Sequence, residues 1–260
     1  MKRSFIVTLA ATLFVLASSA ISQTVAKPSH MITKNVTFNS GSDTGSGVLF
    51  VPATTGNEKL PAIVVIQEWY GLNDWVKQQA EELASQGYET LAVDLYRGKI
   101  AKSRDEAHEL MSGLPRDRAM RDLRGAVAYL KSQPNVNPNK IGAIGWCMGG
   151  GYAAQLAVDE PTLVADVVNY GQLPDSESDA KSIKAKMLGN FGGKDQGIPP
   201  ASVHQFEEQM KANGNPVDFK IYPDAGHGFQ NPVNQNGYNP QATADAKKRI
   251  QDFFAKTLKQ

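Results

Sequence analysis

The sequence lacks the residue patterns of a disulfide framework, a zinc centre or a nucleic-acid surface. It contains one cysteine, Cys147, and four histidines among 260 residues. A single cysteine cannot form an intramolecular disulfide, and neither H-E-x-x-H nor a paired-cysteine spacing is present. Lys and Arg number 27 against 26 Asp and Glu, with no basic stripe. We therefore expect no metal, no organic cofactor and no nucleic-acid partner.

Long apolar runs are also lacking, except at the N-terminus. Lys2 and Arg3 precede an apolar run at 5–17, and small residues follow it. This three-part pattern is typical of a secretory signal peptide, and the run is shorter than the roughly 20 residues of a membrane span. An uncleaved N-terminal anchor is the alternative. We predict that residues 1–26 are a cleaved signal peptide, that the protein is exported to the periplasm or secreted without remaining in a membrane, and that 27–260 form a single domain.

The remaining chain alternates short apolar runs with helical patterns. Strands are predicted at 61–67, 88–96, 140–146, 165–171, 186–195 and 217–223, with helices between most of them. This alternation predicts an α/β protein with a mostly parallel central sheet and helices on both faces. Segments 35–40 and 46–52 predict a short antiparallel start. In such sheets ligands bind at the carboxyl ends of the strands, so candidate site residues are those that follow each strand.

The third core strand runs into Gly145-Trp146-Cys147-Met148-Gly149. The spacing G-x-C-x-G at a strand-to-helix turn is that of a nucleophile elbow with cysteine in place of serine. Glycines leave room for the strand and helix to approach, and the helix N-terminus favours a thiolate and an oxyanion. The alternative for a lone cysteine is a small buried hydrophobic residue.

A base and its acid follow in the order expected of α/β-hydrolases: nucleophile, acid, histidine. Asp195 comes after the fifth core strand, and His227 lies in a glycine-flanked loop after the last strand. A helix cap and a solvated loop residue are the respective alternatives. We predict Cys147, Asp195 and His227 as the catalytic residues. His30, His108 and His204 lie in less suitable segments.

Two backbone N–H groups are candidates for an oxyanion hole. Glu68 ends the first core strand and is either a polar cap or a site residue, and Trp69 follows it. The hole of an α/β-hydrolase takes one N–H from this position and one from the residue after the nucleophile. Here these are the N–H groups of Trp69 and Met148.

Five motifs together resemble those of the dienelactone hydrolase family. In chain order they are Q-E-x-x-G-L-N (67–73), D-L-Y (94–96), G-x-C-x-G-G (145–150), G-G-x-D (192–195) and A-G-H-x-F (225–229). The resemblance runs from about Ile63 to the end of the chain. It implies an α/β-hydrolase fold and a carboxymethylenebutenolidase-like enzyme that opens lactones or small carboxylic esters through a cysteine thioester. It also implies that Glu68 shares the thiol proton in the resting enzyme until substrate displaces it.

The chain departs from this family at positions that hold a substrate carboxylate. Gly98 stands at one arginine position, with Arg97 adjacent, and Asn231 stands at the other. Arg97, Tyr96 and Trp146 are candidate substrate contacts, with core packing as the alternative for the two aromatic residues. The expected partner is a small ester or lactone. A non-catalytic binding or redox-sensing protein on the same fold and an acyltransferase remain alternatives.

Overall fold

The computed structural model describes residues 31–53, 58–235 and 237–260. The predicted signal peptide, residues 1–26, lies outside this part of the chain. Within it, no helix is long and apolar enough to cross a membrane.

One eight-stranded sheet forms the centre of the described structure. Its spatial order is β1-β2-β4-β3-β5-β6-β7-β8. The strands are β1 (Ile32–Ser40), β2 (Asp43–Val51), β3 (Leu60–Ile66), β4 (Glu89–Val93), β5 (Val136–Trp146), β6 (Ala165–Asn169), β7 (Lys186–Gly192) and β8 (Asp218–Tyr222). Pairings β1–β2 and β2–β4 are antiparallel, and all pairings from β4 through β3 to β8 are parallel. The predicted fold class is therefore confirmed, including its antiparallel start.

Helices cover both faces of the sheet. They are α1 (Asp74–Ser85), α2 (Arg104–Ser112), α3 (Arg116–Ser132), α4 (Met148–Asp159), α5 (Glu177–Ser182), α6 (Pro200–Ala212) and α7 (Pro240–Leu258). The side chains of β5 point alternately to the two helix-covered faces of the sheet. Ala143 packs in a core with Leu123 of α3 and Ala154 of α4, whereas Ile144 belongs to a second core with Phe254 of α7. Successive strand residues point to opposite faces, so one strand contributes to both cores.

Some predicted boundaries are wrong. Strand β4 ends at Val93 and not at residue 96, because the Asp94 carboxylate accepts the N–H groups of Tyr96 and Gly98 and turns the chain. Strand β5 begins at Val136, four residues before the predicted start at 140, and the short helix α5 was not predicted.

Candidate active site

The nucleophile elbow lies where β5 passes into α4. Cys147 has φ 55° and ψ −119°, in the left-handed region that residues other than glycine rarely adopt. A Cβ on Gly145 would lie 2.0 Å from the Gly149 carbonyl oxygen, and one on Gly149 would lie 2.4 Å from that of Gln67. The glycines of the motif are thus required by the close approach of backbone segments.

The structure brings the three predicted catalytic side chains together. His227 Nε2 lies 3.1 Å from Cys147 Sγ, and His227 Nδ1 lies 2.7 Å from Asp195 Oδ2. The other carboxylate oxygen of Asp195 accepts the backbone N–H groups of Gly197 (2.9 Å) and Ile198 (3.1 Å). These contacts fix the carboxylate, which in turn orients the imidazole ring.

Electrostatics at this site favour a charged histidine. Burial alone would lower the pKa of His227, but the hydrogen bonds with Asp195 and Cys147 outweigh it and raise the pKa to about 10. Burial would raise the pKa of Asp195, yet the His227 hydrogen bond and charge hold it below its usual value. The charged imidazole ring therefore lies between the Asp195 carboxylate and the Cys147 sulfur.

Two N–H groups are available beside Cys147. Within the described chain, the N–H groups of Trp69 and Met148 donate to no protein acceptor. Met148 is the first residue of α4, whose first N–H groups have no partner inside the helix. The close approach of Gly149 to the Gln67 carbonyl oxygen presses this first turn against the end of β3. The predicted oxyanion residues therefore lie on adjoining segments.

Most of the chain is similar to known proteins. The family described as "Dienelactone hydrolase family" matches residues 46–258. The chain belongs to the dienelactone hydrolase family. A protein of Methylorubrum extorquens, named "Putative carboxymethylenebutenolidase", is 34% identical over 218 residues, covering 78% of this chain and 74% of that protein.

Solved structures show the same relationship. The structure named m3DLH has a TM-score of 0.79 at 28% identity and covers 88% of this chain and 99% of its own. A dienelactone hydrolase-like promiscuous phosphotriesterase from metagenomic libraries has a TM-score of 0.78 at 25% identity, covering 87% and 98%. These similarities extend across nearly the whole described domain.

Glu68 differs from what the resemblance to dienelactone hydrolases implies. Its carboxylate accepts a 2.7 Å hydrogen bond from Asn231 Nδ2 and forms none with the Cys147 thiol in the described structure. Burial raises the pKa of Glu68 to about 7, against the opposing effects of Asn231 and of the His227 charge. The Tyr170 hydroxyl lies near Glu68 without satisfactory hydrogen-bond geometry. Asn231 therefore holds Glu68, and the thiol pairs with His227.

Two predicted substrate contacts are not brought to the site. Arg97 pairs through Nη2 with the buried Asp122 at 2.9 Å and with Asp43 at 3.1 Å, which directs its side chain toward these carboxylates. Trp146 points to the α1 and α7 face, where its indole N–H donates to Gln230 Oε1 at 3.1 Å. These predictions are corrected: Arg97 anchors a loop, and Trp146 is a core residue. Tyr96, the third candidate, lies beside the oxyanion residues.

An open cavity of about 490 Å³ adjoins the elbow. It lies between the first turns of α3 and α4 and the loop after β6, and its lining includes Met148, Tyr152, Leu173, Arg116 and Gln172. These lining residues were not predicted from the sequence, although the G-x-C-x-G turn indicates which end of α4 faces the site. Among the described residues, no three His, Cys, Asp or Glu side chains are grouped to hold a metal ion.

Proposed function

We propose that the protein hydrolyses small carboxylic esters or lactones through a thioester on Cys147. The observation that carries this proposal is the continuous contact from the Asp195 carboxylate through His227 to the Cys147 sulfur, with the sulfur on a strained elbow. A cysteine and a histidine in hydrogen-bond reach, with a third group orienting the histidine, is the arrangement that nucleophilic catalysis requires.

The first half-reaction forms the thioester. The Cys147 thiolate attacks the carbonyl carbon, and the carbonyl electron pair moves onto oxygen, which the N–H groups of Trp69 and Met148 receive. Collapse of this intermediate breaks the carbon–oxygen bond of the ester. The departing alkoxide takes the proton from His227 Nε2 and leaves as an alcohol, or as the free hydroxyl end of an opened lactone.

The second half-reaction restores the enzyme. Neutral His227 removes a proton from water, the resulting hydroxide attacks the thioester, and Cys147 leaves as thiolate while the acid is released. Asp195 stays charged and orients the imidazole. The His227 side chain is 43% exposed, so water can reach the imidazole ring.

The names of related proteins support the substrate class. Carboxymethylenebutenolidase and dienelactone hydrolase both denote the opening of a lactone ester bond. We infer that the substrate's acyl or leaving group occupies the cavity beside Met148, which combines the apolar Leu173 with the cationic Arg116.

The test compares the purified protein with Cys147→Ala and His227→Ala. p-Nitrophenyl acetate and a panel of lactones that includes a dienelactone are the substrates. We expect turnover by the native protein, background rates in both variants, and an acylated Cys147 peptide after acid quenching. His204→Ala is the matched control, because His204 is an exposed histidine of α6 that pairs with Glu207. Equal background rates in the native protein and Cys147→Ala would refute the proposal and turn attention to a binding or redox role.

We also propose that residues 1–26 direct export and are removed, leaving 27–260 as the domain. Support comes from the N-terminal charge and apolar run alone. N-terminal sequencing of the protein recovered from cell fractions tests this. An intact Met1 in the cytoplasmic fraction would contradict it.

A further inference from the structure

We propose that Tyr96 is a positioning residue whose hydroxyl joins the two halves of the oxyanion hole. This inference rests on the proposed function, because it assigns Tyr96 a role in stabilising the oxyanion of ester attack. The sequence suggested a substrate contact for Tyr96, and the structure shows its hydroxyl on protein atoms instead.

The hydroxyl contacts both oxyanion residues at once. It donates to the Trp69 carbonyl oxygen at 3.1 Å and lies 3.2 Å from Met148 Sδ. The first contact fixes the direction of the Trp69 carbonyl and so restrains one of the two peptide planes of that residue. The second packs the Met148 side chain against the same oxygen atom. Trp69 follows β3 and Met148 follows β5, so one hydroxyl links residues from two strand ends.

Tyr96 is itself held firmly. Its backbone N–H donates to the Asp94 carboxylate at 3.0 Å, and the residue is only 4% exposed. The next residue, Arg97, anchors the loop to α3 through the buried Asp122 at 2.9 Å and to the start of β2 through Asp43 at 3.1 Å. This explains why Arg97 does not reach the substrate cavity. A hydroxyl mounted on so constrained a loop can impose its position on its partners.

The hydroxyl also remains a donor at all working pH values. Burial, with smaller effects from Tyr152 and Cys147, raises the pKa of Tyr96 well above its ordinary value. Tyr96 forms no hydrogen bond with the Cys147 sulfur or with His227 in the described structure. Its removal should therefore weaken the oxyanion hole and leave the nucleophile unaltered.

This separation defines the experiment, because two reactions of the same sulfur differ in their need for the hole. Acylation by p-nitrophenyl acetate develops an oxyanion, whereas alkylation by iodoacetamide is a direct displacement that develops none at the carbonyl. Tyr96→Phe deletes the hydroxyl and keeps the ring. We expect single-turnover acylation to slow about tenfold, which corresponds to one displaced hydrogen-bonding group. The alkylation rate and its pH profile should match those of the native protein.

Tyr88→Phe is the matched control. Tyr88 is also buried, at 1% exposure, but packs against Phe254 in the other core. It should leave both reactions unchanged.

Each other outcome overturns the inference in a recognisable way. Equal slowing of acylation and alkylation in Tyr96→Phe would mean that Tyr96 acts on the thiol or on the fold. Unchanged rates in both reactions would mean that the hydroxyl does not support the hole. Failure of the native protein to show Cys147-dependent acylation would refute the proposed function itself, and the role of Tyr96 would fall with it.

Discussion

Asp166 gives a test of the structure that does not depend on catalysis. It lies in β6 between Ala143 of β5 and Met187 of β7, with no exposed surface. Neither carboxylate oxygen has a hydrogen-bond partner in the described structure. Burial raises the pKa of Asp166 to about 8 from 3.8, and the nearby Val167 N–H opposes this only in part. Replacement by asparagine keeps the shape and removes the charge.

The sign of the effect follows from linkage. A carboxyl group with a raised pKa in the folded state takes up protons on folding, so its contribution to stability is complete below the unfolded pKa and is lost as pH rises toward the folded pKa. For Asp166 this window extends from about pH 4 to about pH 8. Each pH unit corresponds to 1.36 kcal/mol. Between pH 5 and 9 the free energy of unfolding of the native protein should therefore fall by about 3–5 kcal/mol. Asp166→Asn should not show this decrease.

Urea unfolding of both proteins at pH 5, 7 and 9 measures this difference. Glu68 and Glu89, whose pKa values burial also raises to about 7, are present in both proteins and cancel in the comparison. The buried amide of the variant lowers its free energy of unfolding by about 1–3 kcal/mol at every pH. The test is therefore the change of this free energy with pH, and not its value at one pH. Asp252→Asn, at an exposed site beside Lys248, is the control and should show the native slope. Parallel pH curves for Asp166→Asn and the native protein would refute the reasoning.

Three further substitutions test the site. Gly145→Ala places a Cβ 2.0 Å from a backbone oxygen of α4. Turnover should therefore vanish, and the free energy of unfolding measured in urea should fall by about 3 kcal/mol or more. Native stability would contradict the elbow geometry. Asp195→Asn should lower kcat by a factor of about 10²–10⁴ with little change in KM, because His227 loses its orienting charge. Unchanged steady-state kinetics would count against the triad. Asn231→Ala leaves Glu68 buried without its hydrogen bond. The free energy of unfolding should fall by about 1–3 kcal/mol, and the pKa of Glu68 should rise further. A melting curve identical to that of the native protein from pH 5 to 8 would argue against this contact.

The sequence could predict the location of the candidate site because the topology constrains it. Cys147, Asp195 and His227 each follow a strand of the same parallel run, and the carboxyl ends of parallel strands meet at one edge. The elbow glycines are predictable for a related reason. Any strand and helix joined by so tight a turn exclude a Cβ at Gly145, whatever the rest of the protein contains.

The directions of individual side chains were less predictable. The partners of Arg97, Asp43 and Asp122, lie 54 and 25 residues away in sequence, so only the folded chain shows that its charge is already neutralised. Trp146 could have been assigned to the core from strand alternation, since it shares a face with Ile144. No comparable sequence pattern predicts the hydrogen bond of Asn231. Its bond to Glu68 spans 163 residues, and it depends on how the loop after His227 folds.

The strain at Cys147 is offset by a buried asparagine that also restrains the loop of His227. A residue other than glycine at positive φ costs about 1–3 kcal/mol, so the conformation of Cys147 requires support. Asn169 supplies it: its carbonyl oxygen accepts the Cys147 N–H at 3.0 Å, and its side-chain amide donates to the Gly145 carbonyl oxygen at 3.1 Å. Its side-chain oxygen accepts from Gln230 at 2.8 Å, three residues beyond His227. One buried asparagine therefore restrains both the elbow and the histidine loop, the two segments that carry the 3.1 Å contact between sulfur and imidazole.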